Sequence, residues 1–337
     1  MPERIAVIGT GVMGENHART LRQTPENGAV LSYVVDPNSD RANLIAKKYD
    51  AQVATLEELD GTRIDGAIIV SPSRFHGQQA QQLMSQGVHV LVEKPAAGSD
   101  EEFEAMQQTA ATHERVAMVG HVELFNPVTQ ELARLFGERA LLSLRFKRLG
   151  NVTDSSRLYH DVVSDLMVHD LSIADMLLPT RTARVQYASG RSDTLASPDP
   201  AEAMVWYEDD YNGVVDAHFR ASRAFTGPKT RTIEAETDEG VILADLLGKR
   251  IFLRREGEGE YTDSGIYVPT VIADSEYFAP GPQPLQAEQA HFLESMRGNT
   301  TPEARRVSLA HAQRLYAMTS DILRRTVLIG NDSQNPR

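Results

Sequence analysis

Arg4-Ile5-Ala6-Val7-Ile8-Gly9-Thr10-Gly11-Val12-Met13-Gly14 decides the architecture of this chain. An apolar run of strand length passes directly into Gly-x-Gly-x-x-Gly, and a helical stretch continues through Leu21. Glycines at those places permit a tight turn, close approach of backbone to a pyrophosphate, and close packing of helix on strand. The helix amino terminus attracts the anion. The motif alone is weak, and its surroundings strengthen it. A second apolar run, Val30 to Val35, ends in Asp36, about 20 residues beyond the last glycine. A carboxylate there could accept hydrogen bonds from both ribose hydroxyls of NAD and would repel the extra phosphate of NADP. Pro37-Asn38 adds no cation for that phosphate.

The alternation continues outward. Helices are expected near Asp40 to Tyr49, Phe75 to Gln86 and Asp100 to Thr112, between strands at Asp65 to Val70, Val88 to Val92 and Val116 to Val119. Strands alternating with helical patterns imply right-handed crossovers and a parallel, doubly wound sheet. Glu93-Lys94-Pro95 follows the Val88-His89-Val90-Leu91-Val92 run, at the carboxyl end of a strand, where such sheets place their chemistry. The competing reading of Lys94 is a surface lysine, with the proline a strand terminator.

After Gly120 the pattern changes. Leu142, Leu144 and Phe146 alternate with polar residues, as do Val215, Ala217 and Phe219, which predicts strands with one buried face. Further strands are expected near Arg184 to Ala188, Ala203 to Tyr207, Thr232 to Thr237, Val241 to Asp245 and Arg250 to Leu253. The sum is a largely antiparallel sheet. Helices follow near Leu285 to Arg297 and Val307 to Arg325, the latter behind the start signal Thr301-Pro302-Glu303. The two patterns set domains at residues 1–120 and 121–337.

Within the second half, apolar residues at helical spacing run from Asp161 to Leu178 and place Asp165 and His169 on one helix face. An imidazole titrating near neutrality can accept a hydroxyl proton, and a neighbouring carboxylate can orient it. An exposed helix pair and a helical metal-ligand pair are the alternatives.

Composition excludes several classes. The 337 residues, 41% hydrophobic and 24% charged, suffice for two domains with their own cores. No apolar run reaches the roughly 18 residues of a membrane span, and no basic leader with a long apolar stretch opens the chain. A cytoplasmic protein is expected. With no cysteine there are no disulfides and no thiolate chemistry. A formal net charge of -13 argues against nucleic acid as a partner, and no membrane partner is expected. The one basic stretch, Arg220 to Arg231, holds four cationic side chains and reads as a solvated loop.

Gly9 to Gly14, Ser71-Pro72 with His76, Gly87-Val88-His89-Val90 leading to Glu93-Lys94-Pro95, Phe125-Asn126-Pro127, and Asp165 with His169-Asp170 together resemble the glucose-fructose oxidoreductase, inositol dehydrogenase and rhizopine catabolism family, Gfo/Idh/MocA. The resemblance covers nearly the whole chain. It implies an N-terminal Rossmann domain and a C-terminal α+β domain with a large, mostly antiparallel open sheet that binds substrate and meets other subunits in a homodimer or homotetramer. Lys94, Asp165 and His169 are the implied catalytic group. With Asp36, the implied cofactor set for NAD is Gly9, Thr10, Gly11, Val12, Met13, Gly14, Ser71, Pro72, His76, Glu93, Lys94 and His121. For a polyol, sugar or nucleotide sugar the implied contacts are Lys94, His121, Asn126, Arg157, Asp165 and His169, without metal.

Val119-Gly120-His121-Val122-Glu123, with Asp165 through Leu171, is similar to the branch containing nucleotide-sugar 3-dehydrogenases. Leu124 departs from the family pattern, which commonly has arginine there, and puts substrate identity in doubt; Arg157 and Lys147 could supply charge instead. His17 and His76 read as packing or capping residues, and Trp206 as sheet core or interface. The expected activity is hydride transfer between NAD and a secondary alcohol. An NAD-dependent glycosidase of the same fold and a noncatalytic NAD-responsive protein are the alternatives.

Overall fold

The computed structural model describes residues 1–137, 140–151, 161–179, 181–191, 199–210, 213–261, 264, 267–299 and 306–328, with the side chains of 256–261 and 267–274 outside the description. The chain divides into two compact units, Met1–Phe125 with Pro282–Arg314, and Asn126–Gly281 with Leu315–Arg337. The return of Pro282–Arg314 to the first unit is not captured by a division at residue 120 alone.

The first unit runs β1 (Glu3–Ile8), α1 (Val12–Gln23), β2 (Ala29–Val35), α2 (Ser39–Tyr49), β3 (Gln52–Val53), β4 (Gly66–Ile69), α3 (His76–Ser85), β5 (His89–Glu93), α4 (Asp100–Thr112) and β6 (Ala117–Gly120). Its strands pair in the order β3-β2-β1-β4-β5-β6, all parallel. Ile5 to Ile8 and Val90 to Val92 are all buried, the unbroken apolar run of strands covered on both faces. Local signals fix the helix starts. Asn38 caps α2 by accepting from the Arg41 amide at 3.0 Å. Ser99 caps α4, whose first turn, Asp100-Glu101-Glu102, places negative charge at the positive end of the helix dipole. The strand order reverses between β1 and β4, so the cofactor crevice of such a sheet lies at the carboxyl ends of those strands.

The second unit contains α5 (Pro127–Phe136), β7 (Leu141–Leu149), α6 (Val168–Leu177), β8 (Thr182–Gly190), β9 (Ala201–Glu208), β10 (Val214–Ser222), β11 (Thr230–Thr237), β12 (Gly240–Asp245), β13 (Arg250–Tyr261) and β14 (Tyr267–Phe278). Then α7 (Pro284–Met296) belongs to the first unit, α8 (Leu309–Arg325) begins there and continues into the second, and β15 (Val327–Leu328) ends the described chain. Among the described residues the sheet order is β14-β13-β12-β11-β7-β10-β9-β8-β15. Only β7 with β10 and β8 with β15 are parallel. Leu144, Phe146, Val205, Ala217, Phe219 and Ile233 line the buried face, where Phe146 and Phe219 stack with centroids 4.9 Å apart. Its other face carries cross-strand ion pairs, Arg145 with Glu234 and Glu236 at 3.1 and 2.6 Å and Arg220 with Glu202 at 3.4 Å.

Several expectations need correction. Leu142 is exposed, because the buried alternation of β7 begins at Leu144 and extends to Arg148. Arg148 enters the core because Asp170 of α6 neutralises it at 2.7 Å. Residues Asp161 to Leu178 are not one uniform α-helix, since Val163–Met167 form a π-helical turn that feeds α6. The basic stretch is not wholly solvated, as Arg223 is buried against Asp199 at 3.1 Å. Trp206 is 39% exposed, which removes the sheet-core reading and leaves the interface one. Helix α5 and strand β14 were not anticipated. The start signal Thr301-Pro302-Glu303 lies outside the described residues.

Candidate active site

The Gly-rich turn joins β1 to α1, and the fold requires two of its three glycines. Gly9 has φ +103°, and a Cβ there would lie 2.8 Å from the Ser71 amide nitrogen. At Gly14 a Cβ would run into the Gly9 carbonyl. Around Gly11 the space is open to 4 Å, so the fold itself does not demand glycine there. Gly11 is also the cap of α1 and supplies no side chain to its first amides. An open approach to helix amides that no side chain caps fits a pyrophosphate. Thr10 is buried, whereas Val12 projects outward.

Asp36, just past the end of β2, is bonded to the turn. Its Oδ2 accepts from the Thr10 amide and hydroxyl at 2.8 and 2.7 Å, and its Oδ1 accepts from the Asn38 amide at 2.8 Å. Burial would push this carboxyl up, but those donors and the Arg41 charge outweigh burial and hold it below the usual range. Arg41 Nη2 stands 3.6 Å from Oδ1. Sequence reasoning looked for a cation only at Pro37-Asn38 and missed Arg41, one helical turn farther on.

After β4, Ser71 donates its hydroxyl to Gln79 at 2.6 Å, and Pro72 precedes a short turn, Ser73–Phe75. His76 is buried, with its ring nitrogens 2.7 Å from the Ser71 carbonyl and 2.9 Å from the Pro95 carbonyl. The imidazole therefore ties the Ser71-Pro72 loop to the Lys94-Pro95 segment. Lys94 is half-buried directly after β5. The Glu93 side chain turns back so that Oε2 accepts from the Lys94 amide at 3.0 Å, and Oε1 meets His17 Nε2 at 3.5 Å. His121 is buried after β6, edge-on to His311 at 5.5 Å between centroids.

Leu124, near the end of the first segment of the first unit, is buried. In the second unit, Asn126 caps α5 through the Val128 amide at 3.1 Å. The π turn carries Asp165, and His169 lies in the first turn of α6, both half-buried. Asp165 Oδ2 is 3.6 Å from Arg223 Nη1. Arg223 was absent from the expected set, and nothing in its local sequence distinguishes it from a solvated arginine. Asp170 faces the core and pairs with Arg148, a structural role. Lys147 is exposed on β7, and Arg157 lies outside the described residues.

Among the described residues no helix is long and apolar enough to cross a membrane. The sheet order, the glycine turn and the carboxylate after β2 define a dinucleotide-binding domain of the Rossmann type. The signature of the family described as "Oxidoreductase family, NAD-binding Rossmann fold" matches residues 3–121. UDP-N-acetylglucosamine 3-dehydrogenase of Acidithiobacillus ferrooxidans is 29% identical over 256 residues, 76% of this chain and 78% of that protein. The scyllo-inositol 2-dehydrogenase (NAD(+)) of Bacillus subtilis is 28% identical over 316 residues, 89% and 87% of the two chains. A solved structure of the A. ferrooxidans enzyme shares the fold with a TM-score of 0.79 at 23% identity, covering 97% of this chain and 98% of that one. Residues 3–121 thus match that oxidoreductase family, and most of the chain is similar to these two dehydrogenases.

Proposed function

We propose that this enzyme transfers hydride between NAD and a secondary alcohol carbon of a cyclitol, sugar or nucleotide sugar. The observation that carries the cofactor half is the open approach at Gly11 onto α1, next to a carboxylate bonded in place after β2. When bound, NAD supplies the hydride acceptor. His169 takes the proton of the substrate hydroxyl, and the Lys94 ammonium stabilises the negative charge developing on that oxygen. Asp165, with Arg223 near its carboxylate, orients His169 or holds a neighbouring hydroxyl. Both relatives named above act on ring alcohols by name, which supports a ring secondary alcohol over an open-chain acid.

A screen for NADH absorbance across cyclitols, free sugars and nucleotide sugars tests this. Net NADH formation with a ring alcohol is expected. Glycosidic cleavage without net NADH would replace the dehydrogenase with the glycosidase, and binding of NAD without any turnover would remove the catalytic assignment.

A further inference from the structure

Helix α7 puts polar residues where a core helix ordinarily carries apolar ones. Glu288, Gln289, Phe292 and Leu293 form its inner face and are all buried, Glu288 completely. Among the described residues neither carboxyl oxygen of Glu288 has a hydrogen-bond partner, which for a fully sealed carboxyl is a large cost in free energy. Glu288 faces His17 of α1 and Glu93 of β5, one polar atom from each lying within 4.8 Å of the others.

The hydrogen bonds around His17 bear on what this cluster holds. Gln289 Nε2 is 3.1 Å from the His17 carbonyl, which can only accept, so this nitrogen is a donor. The same nitrogen is 3.0 Å from His17 Nδ1, which therefore accepts and leaves the ring hydrogen on Nε2. Nε2 thus presents N–H to Glu93 Oε1, whereas a divalent cation would need its lone pair. Glu93 is the ionised member. Burial raises its carboxyl, but His17, the Lys94 charge and the Lys94 amide outweigh burial and bring it below the usual range. Glu288 goes the opposite way, raised by burial and then by the Glu93 charge. Gly120 leaves room for the arrangement, since a Cβ there would stand 3.2 Å from Glu93 Cδ.

We propose that Glu288 is a positioning residue for Lys94: a neutral carboxylic acid that directs its proton at Glu93 through one water and so fixes the carboxylate that holds the Lys94 backbone. This rests on the role given to Lys94 above. An ionised Glu288 would repel Glu93, and loss of the acid would leave Glu93 free to turn, in each case moving the residue next to it.

Infrared difference spectra of the whole protein at neutral pH, wild type minus Glu288→Gln, should show the C=O stretch of a protonated carboxylic acid. In turnover, Glu288→Ala should lower kcat by about 10-fold, the worth of one buried hydrogen bond, with KM for NAD nearly unchanged. Glu288→Gln keeps a neutral donor of the same size and should restore most of that loss. Absence of the protonated band, equal loss in both variants, or full activity in Glu288→Ala would overturn the proposal. So would a stoichiometric divalent metal in purified wild-type protein that Glu288→Gln lacks. Should Glu288→Ala not fold, the spectrum and the Gln variant decide. The spectrum and the metal analysis need no substrate, so an absence of turnover counts against the functional assignment and leaves the state of Glu288 decided separately.

Discussion

Replacing Asp36 by alanine should narrow a preference for NAD over NADP, and the geometry sets the size. A carboxylate offers about four acceptor positions. Thr10 uses two on Oδ2 and Asn38 one on Oδ1, which leaves one for a ribose hydroxyl where the sequence alone had suggested bonds to both. One hydrogen bond to a charged acceptor is worth about 1.5–3 kcal/mol, so Asp36→Ala should weaken NAD binding roughly 10-fold to 150-fold. The 2′-phosphate of NADP would meet Asp36 at close range, where one pair of like charges costs about 4 kcal/mol near a protein surface. Arg41 offsets part of this, but its side chain is 56% exposed. An exposed partner of that kind returns only about 1 kcal/mol. NAD should therefore win by about two orders of magnitude in the unaltered protein, and Asp36→Ala, with Arg41 kept, should cut the ratio at least about 10-fold. Fluorescence titration with NADH and NADPH measures both. NADPH binding equal to NADH in the unaltered protein, or an unchanged ratio in Asp36→Ala with thermal stability retained, would refute the reasoning.

Lys94→Ala and His169→Ala should each leave NADH affinity nearly intact in the same titration while lowering kcat about 100-fold to 10,000-fold, and turnover within a few-fold of wild type would remove either residue from its role. Asp170→Ala removes the carboxylate that neutralises buried Arg148 and should cost about 3–5 kcal/mol in urea denaturation, whereas replacing both residues by apolar ones should recover most of the loss. For Glu288 the pH dependence has a definite sign. Between the ordinary carboxyl value of 4.5 and its raised folded value, the unfolded chain has released a proton that the folded chain keeps. Stability then falls with rising pH by up to about 1.4 kcal/mol per unit, a slope that Glu288→Gln should lack; parallel stability curves for the two proteins would contradict it. Light scattering should give a mass at least twice 37.2 kDa, because the outward sheet face exposes Tyr187 and Trp206 among ion pairs; a single-chain mass persisting with NAD present would defeat the oligomer.

What the sequence made legible was local. The helix expected at Asp100 to Thr112 is α4 with those bounds, and the unbroken apolar runs at Ile5 and Val90 are strands of the expected parallel sheet. Strand β14 escaped because Pro269 breaks its pattern, which the edge position of β14 tolerates. The π turn under Asp165 escaped because the apolar spacing does not separate it from an α turn.

The residues that sequence reasoning missed share another cause: each is a charged or polar side chain whose environment is made by distant segments. Arg223 looks like any solvated arginine until Asp199 and Asp165 close on it. Glu288 is the extreme case, since periodicity assigns a polar residue to the outside of a helix and α7 turns it inward against His17 and Glu93. A fold specified mainly by apolar pattern has no local reason to bury an acid there. The reason has to be tertiary, and Glu288 faces the glutamate whose other oxygen holds the amide of Lys94.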